Sequence, residues 1–418
     1  MALSFTLTNR RDLRVLSTMC DDVRIEKLRS ILLSSFPELR SESLRAVKSP
    51  YRVCPLGAHV DHQLGLVTGM TVDRNVLLVY AEQPSPEVRL LSVNFPGQVS
   101  FSLHDIPAKQ ELDWGNYARG AAYALKKKHT LSNGLIGVIE GNLPVGGLSS
   151  SAAVGIAYLL ALEQANHIEQ DPIANIEWDR LIENEYIGLN NGILDQSTIL
   201  LSEADKLLCL DCQDSRYELV TPGSSLPSFN VLVVYSGISK FLGKTGYNSR
   251  VAECHLAALE LYRLARNQDP PDQLRLRDIS TEEFQRFGGQ LNGVAKKRSS
   301  HFFGELQRVQ QGVEAWRQGD LRTFGKLMTA SGASSIENYE CGSPHLISIY
   351  ELLRDAPGVY GTRFSGAGFR GCCIAFINPD YAPVICRRIA EEYPRRHPDI
   401  ADVYEIHVCT MDHGARIL

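Results

Sequence analysis

The stretch that decides the fold of this chain is LPVGGLSSSAA, residues 143–153, which runs directly into the apolar sequence VGIAYLLALEQA. Gly146 and Gly147 allow a backbone to approach a ligand without interference from a Cβ, and the three serines that follow supply hydroxyl and backbone N–H groups. The next residues are helix formers, so the loop opens a helix whose first N–H groups favour a phosphate. The same letters are also typical of a glycine turn, a serine N-cap and a buried helix.

A second informative segment is YRVCPLGAHVDHQLGLVTGM, residues 51–70. One arginine, two histidines and one aspartate fall within residues 52–62, between apolar positions that are typical of strands. Buried strands rarely carry so many polar side chains unless those side chains have a role. The segment therefore predicts two strands joined by a polar, functional turn.

A third segment, GTRFSGAGFRGCC at residues 361–373, is another turn of small residues that follows an apparent strand. It contains GAGFRG, which formally fits the G-x-G-x-x-G pattern of dinucleotide-binding sites. That pattern requires a helix after the glycines, whereas the apolar run to Ile377 is typical of a strand. A dinucleotide-binding role is therefore disfavoured.

Together the three segments resemble the three motifs of the GHMP small-molecule kinases, in the order of that family. The first is similar to the galactokinase signature R-V-N-L-I-G-E-H-T-D-Y-N-G-G and the third to G-x-R-M-T-G-A-G-F-G-G-C. The second is similar to P-x-G-x-G-L-S-S-S-A, with one residue fewer between Pro144 and Leu148. Residues 188–197, 245–254 and 324–344 also resemble galactokinase segments. The variants PLGAH, IENYECG and GAGFRGCC are similar to those of plant-type galacturonokinases.

The resemblance implies an α+β fold of two lobes with the active site in the cleft between them. We expect an N-terminal GHMP kinase domain over residues 1–221 and a C-terminal domain over 222–418, divided in TPGSSLP, with the extreme C-terminus able to pack on the N-terminal lobe. Residue patterns predict helices and strands between the motifs, with helices over 23–46, 114–128, 172–190 and 193–202 and strands over 134–141 and 206–212.

Composition excludes several other classes of protein. The net charge of −5 over 418 residues gives no basic footprint for nucleic acid. No stretch is long and apolar enough to predict a membrane span, and the first residues do not predict a signal peptide. Ten scattered cysteines indicate reduced thiols in a cytoplasmic enzyme. Cys209 and Cys212 form a lone CxxC pair, which favours structural thiols over a zinc site.

The resemblance assigns the cofactors, ATP and Mg²⁺. It implies that Trp114 lies near the adenine, although a core aromatic is an equal alternative. Ser151 and Glu183 are implied as Mg²⁺ ligands, and hard oxygen ligands suit this ion. Without the resemblance, Glu183 is also typical of a solvated helix carboxylate. The ATP phosphates are expected on Gly146, Gly147, Leu148, Ser149, Ser150 and Ser151.

The resemblance also implies the catalytic residues, Asp195 and Arg52. Asp195 is expected to contact the acceptor hydroxyl as general base, or at least to orient it. Arg52 is expected between this aspartate and the transferred phosphoryl group, where its permanent charge stabilises the transition state. Taken alone, Arg52 is also typical of a surface cation at the end of a strand.

Sugar binding is implied for His59, Asp61 and Tyr247, together with Asp195. Galactokinases carry glutamate where this chain has Ala58, and that glutamate accepts a hydrogen bond from the C6 hydroxyl of the sugar. A uronic acid has a carboxylate at C6, which a protein carboxylate would repel. Ala58 therefore favours a uronic acid, with His62 or Arg370 as the candidate cation that pairs with it. Contact with the ATP phosphates is an equal alternative for Arg370.

The resemblance thus implies an ATP-dependent sugar-1-kinase that phosphorylates the anomeric hydroxyl of D-galacturonic acid, with the small-molecule sugar acid and ATP as its partners. Two alternatives are kept. One is a galactokinase that acts on D-galactose. The other is a catalytically silent galactokinase-like sugar sensor, which the shortened glycine loop keeps open.

Overall fold

The computed structural model of the protein describes residues 19–144, 146–189, 191–238 and 246–418. Within these ranges the chain forms thirteen strands and eleven α-helices. The strands are β1 Leu44–Val53, β2 Leu66–Gln83, β3 Glu87–Ser92, β4 Gln98–Ser102, β5 Gly134–Gly141, β6 Leu207–Asp211, β7 Tyr217–Val220, β8 Asn230–Tyr235, β9 Val359–Phe364, β10 Cys372–Ile377, β11 Glu405–Cys409, β12 Met411–Asp412 and β13 Arg416–Ile417.

Helices occupy most of the remaining chain, and α4 continues into one π-helical segment, Ile182–Ile187. The helices are α1 Asp21–Ser35, α2 Asn116–Lys126, α3 Ser150–Ala165, α4 Pro172–Leu181, α5 Leu194–Leu201, α6 Tyr247–Arg266, α7 Thr281–Phe287, α8 Gly293–Arg317, α9 Leu321–Glu337, α10 Pro344–Arg354 and α11 Ala382–Arg396.

The larger of two sheets forms around the long central strand β2, which pairs antiparallel with β1, β5 and β6. Its main path runs β13-β1-β2-β5-β3-β4, and only the β3–β5 pair is parallel. The nearly continuous burial of β2 explains its sequence, because a strand covered on both faces carries apolar residues at successive positions. Helices α2 and α3 pack in the core that this sheet shares.

The smaller sheet is antiparallel, with the order β11-β8-β10-β9. Strand β10, CCIAFI, is buried along its whole length, and the side chains of α10 and α11 share its core. Helices pack on both sheets, and side chains of α8 and α9 share one core with strands of each, which confirms the α+β fold. The serine loop lies between β5 and α3, and the third motif includes the turn between β9 and β10.

The last strands of the chain belong to the larger sheet. Met411 pairs with Val72, and Ile417 pairs with Val47. Apart from these strands, the larger sheet is built from residues 44–220. The boundary between residues 221 and 222 stays a prediction.

The helix predicted over residues 23–46 is wrong beyond Ser35. Pro37 follows Phe36, and the ring of a proline disfavours helical geometry at the residue before it. Phe36 accordingly has φ −133° and ψ 79°, and from Leu44 the chain is already strand β1. The apolar residues at 44–47 belong to this strand.

All ten cysteines are free thiols. Cys372 and Cys373 are buried in β10, where burial raises the pKa of both thiols. Within the described ranges, no helix has both the length and the apolar character that crossing a bilayer requires.

Candidate functional site

A cavity of about 850 Å³ is enclosed by residues of both sheets and their helices. Side chains and backbone of all three motifs lie on its wall, together with the start of α5 and the segment before it. Most of the predicted site residues line this cavity, namely Arg52, Ala58, His59, Asp61, Trp114, Gly146, Gly147, Ser149, Ser150, Ser151 and Asp195.

The serine loop has a backbone that only small residues accept without strain. Gly147 has φ +85°, and a Cβ added there would lie 2.6 Å from the backbone nitrogen of Cys372. The loop is therefore pressed against the first residue of β10. Ser149 also has a positive φ, +54°, and its side chain makes no capping bond to the first N–H groups of α3. This end of α3 therefore suits an anionic ligand.

Ser149 uses its hydroxyl differently, as a donor to Oδ2 of Asp195. The other oxygen of Asp195, Oδ1, accepts from Nε of Arg52 at 2.8 Å and lies 2.7 Å from Nη2. Arg52 is 3% exposed and extends further to Oγ of Ser365 at 3.3 Å. One carboxylate is thus oriented by the serine loop, by the first motif and, through Arg52, by the third.

Glu183 lies behind the serine loop in the π-helical segment, 2% exposed and outside the lining of the cavity. Its Oε2 accepts from Asn191 at 3.0 Å, while Oε1 is buried with no hydrogen-bond partner among the described residues. Burial raises the pKa of this carboxyl, although the neighbouring Ser151 hydroxyl acts in the opposite direction and lowers it. Both oxygens of Asp179, one turn earlier in the chain, are likewise buried and unpartnered in the described structure.

These carboxylates fit a divalent cation. Burial and the charge of Glu183 raise the pKa of Asp179, so two acidic groups share a small volume in which no described residue supplies a cation. Buried oxygens without donors are the groups that a bound ion satisfies, and Mg²⁺ prefers carboxylate and hydroxyl oxygens. Ser151 and Glu183 are therefore suited to hold Mg²⁺, with Asp179 beside them.

The sugar-binding residues predicted in the first motif lie at the other end of the cavity. His59 is buried, its ring stacks on Tyr339 at a centroid distance of 4.3 Å, and burial lowers its pKa well below the ordinary value, so the ring is neutral. Removal from water, together with the charge of Asp195, raises the pKa of Asp61 to about 6. A Cβ on Gly192 would lie 2.4 Å from Oδ2 of Asp61, so this carboxylate touches the segment that leads to α5.

The remaining predicted residues divide between this site and its surroundings. Trp114 lines the cavity while its Nε1–H donates to the carbonyl of Pro96 at 3.3 Å. Leu148 is 2% exposed and packs in the core, and only its carbonyl approaches Arg52, at 3.4 Å from the backbone nitrogen. The side chain of Tyr247 lies outside the described residues.

His62 is wrong as a cation for the sugar. It lies on the wall of a neighbouring cavity, and burial lowers the pKa of its ring to about 4, which leaves it neutral. Its Nε2 lies 3.2 Å from the hydroxyl oxygen of Tyr339. Arg370 does line the larger cavity, next to Gly371, where an added Cβ would lie 2.7 Å from the backbone nitrogen of Gly147. Arg370 therefore lies at the serine-loop end.

Sequence reasoning missed three residues of this region. Asp179 lies in α4 with no motif of its own, and its contact with Glu183 reveals it. Tyr339 lies in the turn after α9, within the IENYECG segment, and its stacking on His59 reveals its place in the site. Arg363 falls within the third motif, but the strand pattern around it gave no reason to single it out. It lines the cavity and is 1% exposed.

Comparison with known proteins agrees with this geometry. The family model described as "GHMP kinases N terminal domain" matches residues 116–203, and "GHMP kinases C terminal" matches residues 313–395. A galacturonokinase of Arabidopsis thaliana is 44% identical over 399 residues, which are 90% of this chain and 94% of the relative.

Solved structures give the same relationship. Lactococcus lactis galactokinase, in a complex with galactose, superimposes with a TM-score of 0.83 at 28% identity, over 93% of this chain and 99% of that one. Methanococcus jannaschii mevalonate kinase shares the fold, with a TM-score of 0.64 at 18% identity over 88% and 98% of the two chains. The chain therefore belongs to the GHMP kinase family.

Proposed function

We propose that this protein is an ATP-dependent kinase that phosphorylates the anomeric hydroxyl of D-galacturonic acid. The observation that carries the proposal is the Arg52–Asp195–Ser149 arrangement, which joins the serine loop to the predicted sugar wall, with Ala58 in place of a carboxylate on that wall. The similarity to a galacturonokinase over 90% of the chain supports the same substrate. We expect a cytoplasmic location, where its thiols stay reduced.

The proposed reaction begins with a sugar whose C1 hydroxyl contacts Asp195. The carboxylate accepts the hydroxyl proton as the oxygen attacks the γ-phosphorus, the bond from that phosphorus to the bridging oxygen breaks, and ADP leaves. Arg52 stabilises the negative charge that develops on the transferred group. Because Arg52 contacts Oδ1 through two nitrogens, it also fixes the orientation of the base. The N–H groups and hydroxyls of the serine loop bind the ATP phosphates.

Mg²⁺, when bound, neutralises charge on the ATP phosphates. In our proposal Ser151 and Glu183 hold it, and Asp179 adds negative charge behind them. The unpartnered Oε1 of Glu183 supports this role.

Substrate preference is the direct test of the proposal. Coupled ADP release with galacturonate, galactose and glucuronate should give the highest kcat/KM for galacturonate, and NMR of the product should show phosphate at C1. A preference for galactose would make the protein a galactokinase and overturn the proposal. Binding of sugar and ATP without sugar-dependent turnover would instead indicate the silent sensor.

The metal role of Glu183 has its own test. We expect Glu183→Gln to raise the Mg²⁺ concentration for half-maximal rate by about tenfold or more, because an amide is a poorer ligand than a carboxylate for a hard dication. Glu185→Gln is the matched control, since Glu185 lies two residues further in the same segment, exposed and paired with Lys127. If both variants follow the Mg²⁺ titration curve of the unaltered protein, Glu183 has only a structural role.

A further inference from the structure

Arg363 is unusual among the buried arginines of this protein. Six arginines of the described residues are less than 5% exposed, and five of them form an ion pair with a carboxylate. Arg363, 1% exposed, forms none with any described residue. The paired five are Arg24, Arg52, Arg74, Arg119 and Arg298.

The known contacts of Arg363 leave part of its guanidinium for a ligand. Nε donates to the carbonyl of Phe364 at 2.8 Å, and Nη1 donates to Oγ of Ser331 at 2.8 Å. Nη2 has no hydrogen bond to a described residue, and it is not fully enclosed by protein atoms. Because Arg363 lines the cavity, this end of the guanidinium is open to a ligand there. A buried guanidinium is costly without a counter-charge, so this arrangement calls for an anion in the cavity.

Glu305, the carboxylate linked to Arg363, does not supply that counter-charge. Its Oε2 accepts from Ser331 at 3.0 Å and from the backbone N–H groups of Gly57 and Ala58, and its Oε1 pairs with Arg308 at 2.7 Å. Burial acts to raise the pKa of Glu305, but the charges of Arg308 and Arg363 keep that pKa below the ordinary value. Two arginines thus face one carboxylate, and the cluster keeps one net positive charge.

The neighbouring histidines do not change this balance. Burial lowers the pKa of His301 to about 4 and that of His59 well below its ordinary value, so both rings are neutral near pH 7. Nε2 of His301 lies 3.0 Å from the carbonyl of Ala58 and acts as a neutral donor to it.

The same contacts connect Arg363 to position 58. The N–H of Ala58 is 3.2 Å from Oε2 of Glu305, which contacts Ser331, which in turn contacts Nη1 of Arg363. Ala58 and Arg363 line one cavity. If the proposed function is right, the C6 substituent of the sugar lies beside Ala58 and therefore within reach of this guanidinium.

We propose that Arg363 binds the carboxylate of the uronic acid substrate, in the space that Ala58 leaves open. The galactokinase motif G-x-R-M also carries this arginine, so Arg363 confers specificity only together with the absence of a carboxylate side chain at position 58. The carboxylate accepts a charge-assisted hydrogen bond from the unpartnered end of the guanidinium and completes the charge balance of the cluster. This inference rests on the proposed function. In this inference Arg363 takes the place of His62 and Arg370 as the cation that pairs with the sugar carboxylate.

The experiment compares two sugars in one variant. We expect Arg363→Gln to lower kcat/KM for galacturonate about 10²-fold or more, mainly through KM, and to lower kcat/KM for galactose less than tenfold. Arg363→Lys should give an intermediate loss for galacturonate, because the charge remains while the planar geometry is lost. If Arg363→Gln fails to fold, the lysine variant carries the test by the same ratio.

Arg24→Gln is the matched control, because Arg24 is equally buried but pairs with Glu140, which does not line the cavity. It should lower thermal stability and leave the galacturonate-to-galactose ratio unchanged. Equal losses for both sugars in the Arg363 variants would overturn the inference, while the unaltered protein still prefers galacturonate. An unaltered protein that prefers galactose would instead overturn the proposed function.

Discussion

Asp195→Asn should lower kcat by about 10²–10⁴-fold while the affinity for ATP stays nearly unchanged, because positioned general bases typically contribute this much to a rate. The substitution conserves the shape of the side chain but removes its charge and its basicity. Asp195 is the second residue of α5 and lies between Arg52 and Ser149. An asparagine can still accept from either neighbour, so the structural change is small and the chemical one is large.

The charge of Arg52 makes the loss larger than the proton transfer alone would. Its guanidinium, 3% exposed, loses its carboxylate partner in the variant, and a buried charge without a partner is unfavourable. We expect that charge to be drawn toward the ATP phosphates, so that ATP binding is preserved while the acceptor hydroxyl loses its base.

Two measurements separate these effects. Steady-state kinetics with galacturonate gives kcat, and equilibrium binding gives the ATP affinity. Asp205→Asn is a suitable control, since Asp205 is exposed and its φ of +64° is one that asparagine also adopts readily. A variant that keeps a third of the kcat of the unaltered protein, with sugar affinity preserved, would show that Asp195 is not the base.

Sequence patterns predicted the parts of the fold in which a segment carries its own signal. The strand at 134–141 and the helix after the serine loop are where the patterns predict them, because their apolar residues and flanking glycines are local features. The helix over 23–46 was too long since its apolar residues after Pro37 belong to β1. One of the two partners of β1, strand β13, comes from the far end of the chain, and a local pattern carries no record of it.

The same distinction holds for the candidate site. Arg52 and Asp195 stand out in the sequence because a family motif surrounds each of them, and their roles stay predictions. Arg363 is different, because its importance comes from the lack of an ion pair with any carboxylate among the described residues. Nothing in GTRFSG indicates that this arginine is buried without a carboxylate, because the side chains that could have paired with it lie on α8 and α9.

The second large effect is expected from Ala58→Glu, which should invert or strongly narrow the preference for galacturonate over galactose. The backbone of Ala58 is held on both sides by α8, through Glu305 at its N–H and His301 at its carbonyl. A longer side chain at this position therefore extends into the cavity without moving the loop. There its carboxylate faces the C6 carboxylate of galacturonate but can accept a hydrogen bond from the C6 hydroxyl of galactose.

The size of the effect follows from electrostatics. Two carboxylates about 4 Å apart repel by about 4 kcal/mol at an effective dielectric near 20, against about 1 kcal/mol in bulk water. The expected change in the galacturonate-to-galactose ratio is therefore roughly 10²-fold or more, and solvent exposure of C6 would reduce it. The new carboxylate would also compete with the substrate for Arg363, which acts in the same direction.

Charge and size are separated by a second variant, Ala58→Gln, which adds the same volume without the charge. Measuring kcat/KM for both sugars in both variants gives the contribution of charge as the difference between them. We expect the glutamine variant to lose activity on galacturonate by crowding alone. It should therefore keep more of the preference for galacturonate over galactose than the glutamate variant does. Equal losses in the two would mean that Ala58 contributes only space, and that repulsion at C6 has no part in how this kinase selects its sugar.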